Sequence, residues 1–392
     1  MGYSIFGRHP LTVYRISKPD QTVLPIGGDE PVYDLLRGAA FISIANTAEP
    51  RGVGFVTLEN HRSTNFGPGS VNFGPYYAWA IRIDERKIPP AALEEAVQER
   101  IESEIEERRT AGTLLEGQSL STDRKREIRA QCKLRLLTRI PPTPKVVDVV
   151  WNHESGLLYL CDKSPGTQDA FENAFRRVSL TGYEIELFTP QDVMPGLDLA
   201  ELMGGGFLTW LYGRREDSRG YTFGEITLLA GIEDRVEIGA DGETVKAVAK
   251  SDDFPEIDAG MRVGKRVTRA DLRLESGTRV FTLDVSGVLF PLNSVDGPDV
   301  VFPADPEELP GAVIDAADNI ETSVRLLCAL VGCWAAEKHG AEAFISTPDI
   351  MRHMKNCRAA ILSLGKTAER VTVSFGGKEI VLVDNMKGKA AA

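Results

Sequence analysis

Apolar residues recur at every fourth position in two neighbouring segments, first at Leu93, Val97, Ile101 and Ile105 and then at Ile128, Cys132 and Leu136. Residues four apart lie on one face of an α-helix. The pattern predicts one helix from the Pro89-Pro90 pair to about residue 109 and another over residues 122–139. We interpret the segment between them as a loop, so that residues 89–139 form a helical pair.

A proline-rich break at residues 141–144 ends the second predicted helix. Apolar runs at 146–151 and 157–161 follow it, and the turn between them contains Asn152 and Gly156. Two such runs around an Asn- and Gly-bearing turn are typical of a β-hairpin.

Similar patterns predict further elements along the whole chain. Strands are predicted at residues 11–16, 52–58, 76–83, 185–188, 226–230, 236–238, 244–249, 264–274, 279–289, 371–375 and 380–383. Helices are predicted at residues 31–37, 167–178, 316–338 and 346–362. Residues 291–310 are rich in proline and acidic residues, and we interpret them as a loop or linker.

This mixture predicts a multi-domain α+β fold with antiparallel sheets and a charged helical pair. The chain has 392 residues and 42% apolar content, enough for substantial cores. We expect a core at residues 1–310 that includes the pair 89–139, a C-terminal helix of that core at 311–340, and an extra α/β extension at 341–392.

The two helices of the pair carry opposite charge. Residues 94–107 hold seven glutamates and one arginine, whereas residues 122–139 hold seven Lys/Arg against Asp123 and Glu127. The net charge of the chain is −12, which normally argues against a nucleic-acid partner. The concentration of cations in one helix weakens that objection.

The sequence predicts no membrane partner, metal or cofactor. Its longest apolar run, residues 326–336, is well short of the ~20 residues that a membrane helix needs. The five cysteines have no CxxC spacing, which favours reduced thiols in a cytosolic protein. The five histidines have no metal-ligand spacing, and we identify no catalytic residue.

Two other functions stay open at this point. Glu85 and Lys87, at the end of a predicted strand, have the Glu-x-Lys spacing of one nuclease superfamily, although no upstream aspartate is well placed to hold Mg²⁺. Alternatively, the Glu-rich helix pairs with the Arg-rich helix in a protein-interaction module that never contacts DNA.

Five stretches follow one another in a recognisable order: Leu11-Thr-Val-Tyr-Arg-Ile-Ser17, Lys87-Ile-Pro-Pro-Ala-Ala-Leu-Glu-Glu-Ala-Val97, Leu136-Leu137-x-Arg139 with Trp151 and Gly156-Leu-Leu-Tyr-Leu-Cys-Asp162, Leu208-Thr209-Trp210-Leu211, and Gly264-Lys265-x-Val267-Thr268-Arg269. In that order they resemble the RdgC family of bacterial recombination-associated DNA-binding proteins. The resemblance covers roughly residues 8–338. Pro141-Pro142 replaces an aromatic residue of the family, the segments 60–75 and 291–310 differ in length, and residues 341–392 have no counterpart.

The resemblance implies a horseshoe-like subunit that closes into a ring-shaped homodimer around double-stranded DNA. It implies DNA binding without sequence preference, opposition to RecA-promoted homologous recombination, and a cytoplasmic, nucleoid-associated protein. The family also carries an exonuclease label, which we do not adopt because no carboxylate cluster able to hold Mg²⁺ is visible in the sequence.

A ring would place cations around its hole and acidic residues outside. Lysines and arginines in the hole would neutralise phosphates and release counterions. The candidates on the second helix are Arg124, Lys125, Arg126, Arg129, Lys133, Arg135 and Arg139. Lys246 and Lys250 fall near the DNA-contacting stretch of the family and form a second set. The third set is Lys265, Arg266 and Arg269.

Overall fold

The protein has a mixed α+β fold, as predicted. The computed structural model describes residues 4–17, 30–115, 118–177, 183–189, 205–214, 221–223, 226–240, 243–248, 254–339, 370–375 and 378–384. Of the predicted elements, the helix at 346–362 lies outside these residues.

The described strands join in one large antiparallel sheet. They are β1 (His9–Ser17), β2 (Arg51–Thr57), β3 (Asn72–Phe73), β4 (Tyr76–Glu85), β5 (Thr143–Asn152), β6 (Leu157–Leu160), β7 (Glu184–Leu187), β8 (Tyr221–Phe223), β9 (Ile226–Ala240), β10 (Glu243–Val248), β11 (Arg266–Ser276), β12 (Arg279–Ser286), β13 (Leu292–Asp296), β14 (Arg370–Phe375) and β15 (Lys378–Asp384). The strand order is β15-β14-β8-β9-β11-β12-β13-β1-β6-β5-β4-β2, with β10 on β9, β3 on β4 and β7 on β1.

The strand β1 connects the two parts of this sheet. His9 lies opposite Val295 of β13, whereas residues 12–15 pair with β6. The register shifts between His9 and Leu11. Pro10 occupies this irregularity, which suits a residue that has no N–H to donate to a ladder.

The described residues form seven α-helices. They are α1 (Glu30–Gly38), α2 (Pro90–Thr110), α3 (Thr122–Arg139), α4 (Pro165–Arg176), α5 (Gly206–Gly213), α6 (Pro255–Arg262) and α7 (Leu309–His339). No helix among the described residues is long and apolar enough to cross a membrane.

Buried apolar residues from both parts of the sheet form one core. Along β11 the alternate residues Ala270, Leu272 and Leu274 are fully buried, as expected for a strand with one face toward the core. The helix α5 packs on this strand, and the Thr209 hydroxyl accepts a hydrogen bond of 2.9 Å from the backbone of Val267. The buried residues of α7 belong to the same core.

Two of the differences between the structure and the sequence pattern arise from pairing with distant strands. The predicted strands 226–230 and 236–238 are one continuous strand, β9, because β11 pairs with the backbone on both sides of the polar residues between them. The predicted loop 291–310 contains β13, which is held by β12 and β1. In both places, pairing with distant strands outweighs the local composition.

Candidate nucleic-acid interface

The charged helical pair is a hairpin of two helices with recognisable starts and ends. The helix α2 begins at Pro90, and a proline is favoured in the first turn because its missing N–H has no partner there. Gly112 follows α2 with a φ of 69°, a left-handed conformation that glycine adopts without strain. The side chain of Ser121 accepts a hydrogen bond of 3.3 Å from the backbone of Arg124 and caps α3.

Arg86, just after β4, anchors the base of the hairpin. Its side chain is 6% exposed. The guanidinium donates hydrogen bonds of 2.6–3.0 Å to five backbone carbonyls, those of Ile44, Ala45, Thr47, Glu49 and Ile140. Ile140 ends α3, so these bonds fix the end of that helix against β4 and the loop before β2.

A small apolar cluster joins the two helices. It is separate from the main core and consists of Val97, Leu120, Ile128 and Cys132, with partly buried residues of α2 around it. The Cys132 thiol also donates a hydrogen bond of 3.4 Å to the carbonyl of Ala96. The faces predicted from the four-residue spacing therefore pack against each other at Ile128 and Cys132, whereas Leu136 is only partly buried and Leu137 is buried instead.

Glu104 of α2 is the buried centre of an ion cluster whose arginines are partly exposed. Its carboxylate is 5% exposed and accepts two hydrogen bonds from Arg124 of α3, at 2.7 and 2.9 Å. Arg108 donates a third hydrogen bond of 2.8 Å. The hydrogen bonds from Arg124 contribute most to holding the pKa of Glu104 below its ordinary value.

A second ion pair between the helices joins Glu94 and Arg129. The Arg129 guanidinium donates two hydrogen bonds to the carboxylate, one of them 3.0 Å long. The side chains are 59% and 51% exposed, respectively. These hydrogen bonds lower the pKa of Glu94.

The remaining predicted cations of α3 point into solvent. Lys125, Lys133, Arg135 and Arg139 are exposed and form no ion pair with any residue that the structure describes. Arg126 is 78% exposed, 3.4 Å from Asp123, whose side chain is 87% exposed. Five of the seven predicted contact residues on α3 are thus displayed to solvent, whereas Arg124 and Arg129 pair with α2.

The second and third predicted sets lie on other elements. Lys246 is in β10, where only the backbone is described, and Lys250 lies outside the described residues. Arg266 is exposed at the start of β11, just after the partly exposed Lys265. Arg269 donates a hydrogen bond of 2.7 Å to Asp284, which is 4% exposed. Four strands lie between β11 and β5, the strand that follows α3. These two sets are therefore in a different part of the structure from α3.

Two exposed cations near the hairpin were not among the predicted DNA-contact residues. Arg109 lies in the last turn of α2, is exposed, and has no ion pair among the described residues. Lys87 is 88% exposed and 3.8 Å from Glu85. The Arg108-Arg109 pair was the available signal, but the seven glutamates of α2 masked it.

The geometry around the Glu-x-Lys motif is that of a network of ion pairs. The Glu85 carboxylate lies 3.4 Å from Arg51 and 3.8 Å from Lys87. The neighbouring Asp84 accepts two hydrogen bonds from Arg82, at 2.7 and 2.9 Å. Among the residues that the structure describes, no group of three or more His, Cys, Asp or Glu side chains is arranged to hold a metal ion.

The hairpin is nearly neutral as a whole, but its charges are segregated. The two helices together hold ten Lys/Arg and nine Asp/Glu, with seven of the cations on α3 and seven glutamates on α2. The sequence matches no protein-family model and no curated protein. The function must therefore be inferred from this segregated charge and its exposure.

Proposed function

We propose that this protein binds double-stranded DNA without sequence preference and that α3 contacts the phosphates. The supporting observation is the set of exposed cations on α3 that have no carboxylate partner among the described residues, Lys125, Lys133, Arg135 and Arg139. Arg126 adds a fifth cation with a weak, exposed contact to Asp123. Exposed Lys and Arg side chains release counterions from DNA when they reach its phosphates.

The spacing of these cations suits a phosphate backbone. Lys125 and Arg139 are fourteen residues apart, which is about 21 Å along a helix at 1.5 Å per residue. Successive base pairs of B-form DNA are about 3.4 Å apart, so this length covers roughly six of them. Phosphate contacts position a protein on DNA but carry no sequence information directly.

The acidic charge of the rest of the chain favours contact with DNA through α3. The net charge of −12 disfavours contact with DNA overall, so the duplex should be attracted chiefly where cations are concentrated. The exposed face of α3 is such a region. The same negative charge should prevent elements without a cationic face from binding polyanions.

The resemblance to the RdgC family extends the proposal. On that basis the protein is a ring-shaped homodimer of horseshoe-like subunits that encircles DNA, associates with the nucleoid and opposes RecA-promoted strand exchange. The order of sequence features supports this part of the proposal. A two-fold assembly would bring the same cationic helix to opposite sides of one duplex.

Fluorescence anisotropy with two labelled duplexes of equal length and unrelated sequence tests the proposed function. We expect equal affinities for the two duplexes. If five cations each neutralise one phosphate, log K should fall with log salt at a slope of about −4.5. Affinity that follows the sequence of the duplex, or that is constant between ~50 and ~200 mM salt, would contradict the proposal.

The ion pairs between the helices favour a second candidate, a protein-interaction module. Glu104 with Arg124 and Glu94 with Arg129 show that cations of α3 also serve to join the helical hairpin. In this case the exposed cations bind an acidic protein surface. Salt-dependent binding to duplex DNA distinguishes the first candidate from the second.

A further inference from the structure

The two ion pairs between α2 and α3 differ in exposure and in the number of partners. Glu104 is 5% exposed and accepts hydrogen bonds from both Arg124 and Arg108. Glu94 is 59% exposed and contacts one arginine among the described residues, Arg129, which is 51% exposed. The first pair is part of the packed interface of the hairpin, whereas water and ligands reach the second.

We propose that Glu94 is an internal substitute for a DNA phosphate, which holds Arg129 in the free protein and releases it to a phosphate when DNA binds. This inference rests on the proposed function, because it concerns regulation of the same cationic face. It assigns to Glu94 a role in setting the affinity and salt response of α3.

The geometry of the pair supports this exchange. Arg129 donates from both terminal nitrogens to both oxygens of the Glu94 carboxylate. A phosphate accepts the same two parallel hydrogen bonds from an arginine. A phosphate can therefore replace the Glu94 carboxylate and bind the same two guanidinium nitrogens of Arg129.

The position of Arg129 on α3 also supports the exchange. It lies three residues after Arg126 and four residues before Lys133, and residues at these spacings are neighbours on a helix surface. Both neighbours are exposed. Once released, Arg129 extends an existing row of phosphate-accessible cations.

The exchange has a specific consequence for salt dependence. An ion pair between two exposed side chains is weak, so DNA phosphates compete effectively with Glu94. When Arg129 moves to a phosphate, Glu94 becomes a free anion and attracts a cation from solution. The net number of cations released on DNA binding is then up to about one lower than in a variant whose residue 94 is uncharged.

The test compares Glu94→Gln with Glu95→Gln. Glu95 is the neighbouring residue on the same helix, is exposed, and has no ion pair among the described residues. Both variants remove one negative charge, but E94Q alone frees Arg129. We expect E94Q to bind duplex DNA about two- to five-fold more tightly than E95Q, as the cost of breaking an exposed ion pair implies. Its log K against log salt should be steeper by up to about 0.9.

A double-mutant cycle with Arg129→Gln isolates the pair. In the R129Q background, E94Q should bind DNA no more tightly than E95Q does. Circular dichroism melting curves of all variants verify that the hairpin is folded. A wild-type protein that fails to bind duplex DNA would overturn the proposed function and this inference together. Wild-type binding with identical E94Q and E95Q affinities and slopes would overturn the inference alone.

Discussion

The guanidinium of Arg86 donates a hydrogen bond of 2.8 Å to the backbone carbonyl of Ile140, the residue at the end of α3. The same buried guanidinium satisfies four carbonyls of the segment before β2. One side chain therefore connects the cationic helix to the sheet. The position of α3 relative to the rest of the protein depends on it.

Replacement of Arg86 by methionine should destabilise the protein strongly. The variant keeps much of the apolar stem but removes five hydrogen bonds to carbonyls. The Ile44 carbonyl still accepts from Thr47, whereas the Ile140 carbonyl at the end of α3 loses the donor that Arg86 supplies. We expect the free energy of unfolding to fall by about 3 kcal/mol. Urea denaturation measures it, with Arg62→Met as the control, because Arg62 is exposed and has no ion pair in the described part of the chain. Equal stabilities of the two variants would contradict the anchoring role.

The stability of the protein should depend on the ionisation of Asp148. This side chain is buried on β5 and accepts a hydrogen bond of 3.1 Å from the backbone of Ile5. Burial raises its pKa from 3.8 to about 6. The folded state therefore holds the proton more tightly than the unfolded state, so this contribution to stability is full below pH 3.8 and is lost as the pH rises through about 6.

The variant Asp148→Asn removes this dependence. From pH 4 to pH 7, the free energy of unfolding of the variant should rise relative to that of the wild type by up to about 3 kcal/mol. Urea denaturation at several pH values measures the free energy of unfolding of both proteins. The contributions of the other titrating groups cancel when the two values are subtracted. A difference that is constant with pH would show that Asp148 titrates normally in the folded protein.

Glu104 should contribute to the stability of the hairpin with the opposite pH dependence. Its pKa is lowered by Arg124, so its contribution is present above the ordinary value of 4.5 and is lost as the pH falls through the lower pKa of the folded state. Glu104→Gln should reduce the free energy of unfolding by about 1 kcal/mol at pH 7. The exposed Glu95→Gln is the control and should have little effect. A loss for E104Q that persists in strong acid would argue against an ionic cause.

The proposed ring should be visible in the rate at which DNA is released. A closed homodimer can slide off a linear duplex, but it must open to leave a duplex whose ends are blocked. We expect slower dissociation at moderate salt from end-blocked duplex than from the same duplex with free ends. Identical dissociation rates, or a monomer by light scattering at micromolar concentration, would contradict encirclement.

The local pattern was sufficient for the elements of the hairpin. Spacing alone placed α3 at residues 122–139, the range found in the structure, and it placed Ile128 and Cys132 on the buried face. The partners of individual charges were not predictable in this way. Which glutamate of α2 meets which arginine depends on the rotation and crossing of the two helices, and neither is encoded in the spacing within one helix.

Features that depend on distant residues were missed for the same reason. β13 has a polar composition typical of a loop and becomes a strand because β12 and β1 lie on either side of it. Arg86 follows a strand and resembles any exposed charged residue in the sequence. Its burial arises from the carbonyls of a segment about forty residues away.

The measurement that most directly tests the proposed role of α3 is the salt dependence of DNA affinity in a variant without its free cations. We expect Lys125→Ala, Lys133→Ala, Arg135→Ala and Arg139→Ala in combination to flatten the slope of log K against log salt by about 3.6, with little change in melting temperature. The control combines Arg62→Ala and Arg262→Ala, two exposed arginines outside the hairpin. It should retain the wild-type slope. An unchanged slope in the fourfold variant, or equal flattening in the control, would contradict DNA binding by α3.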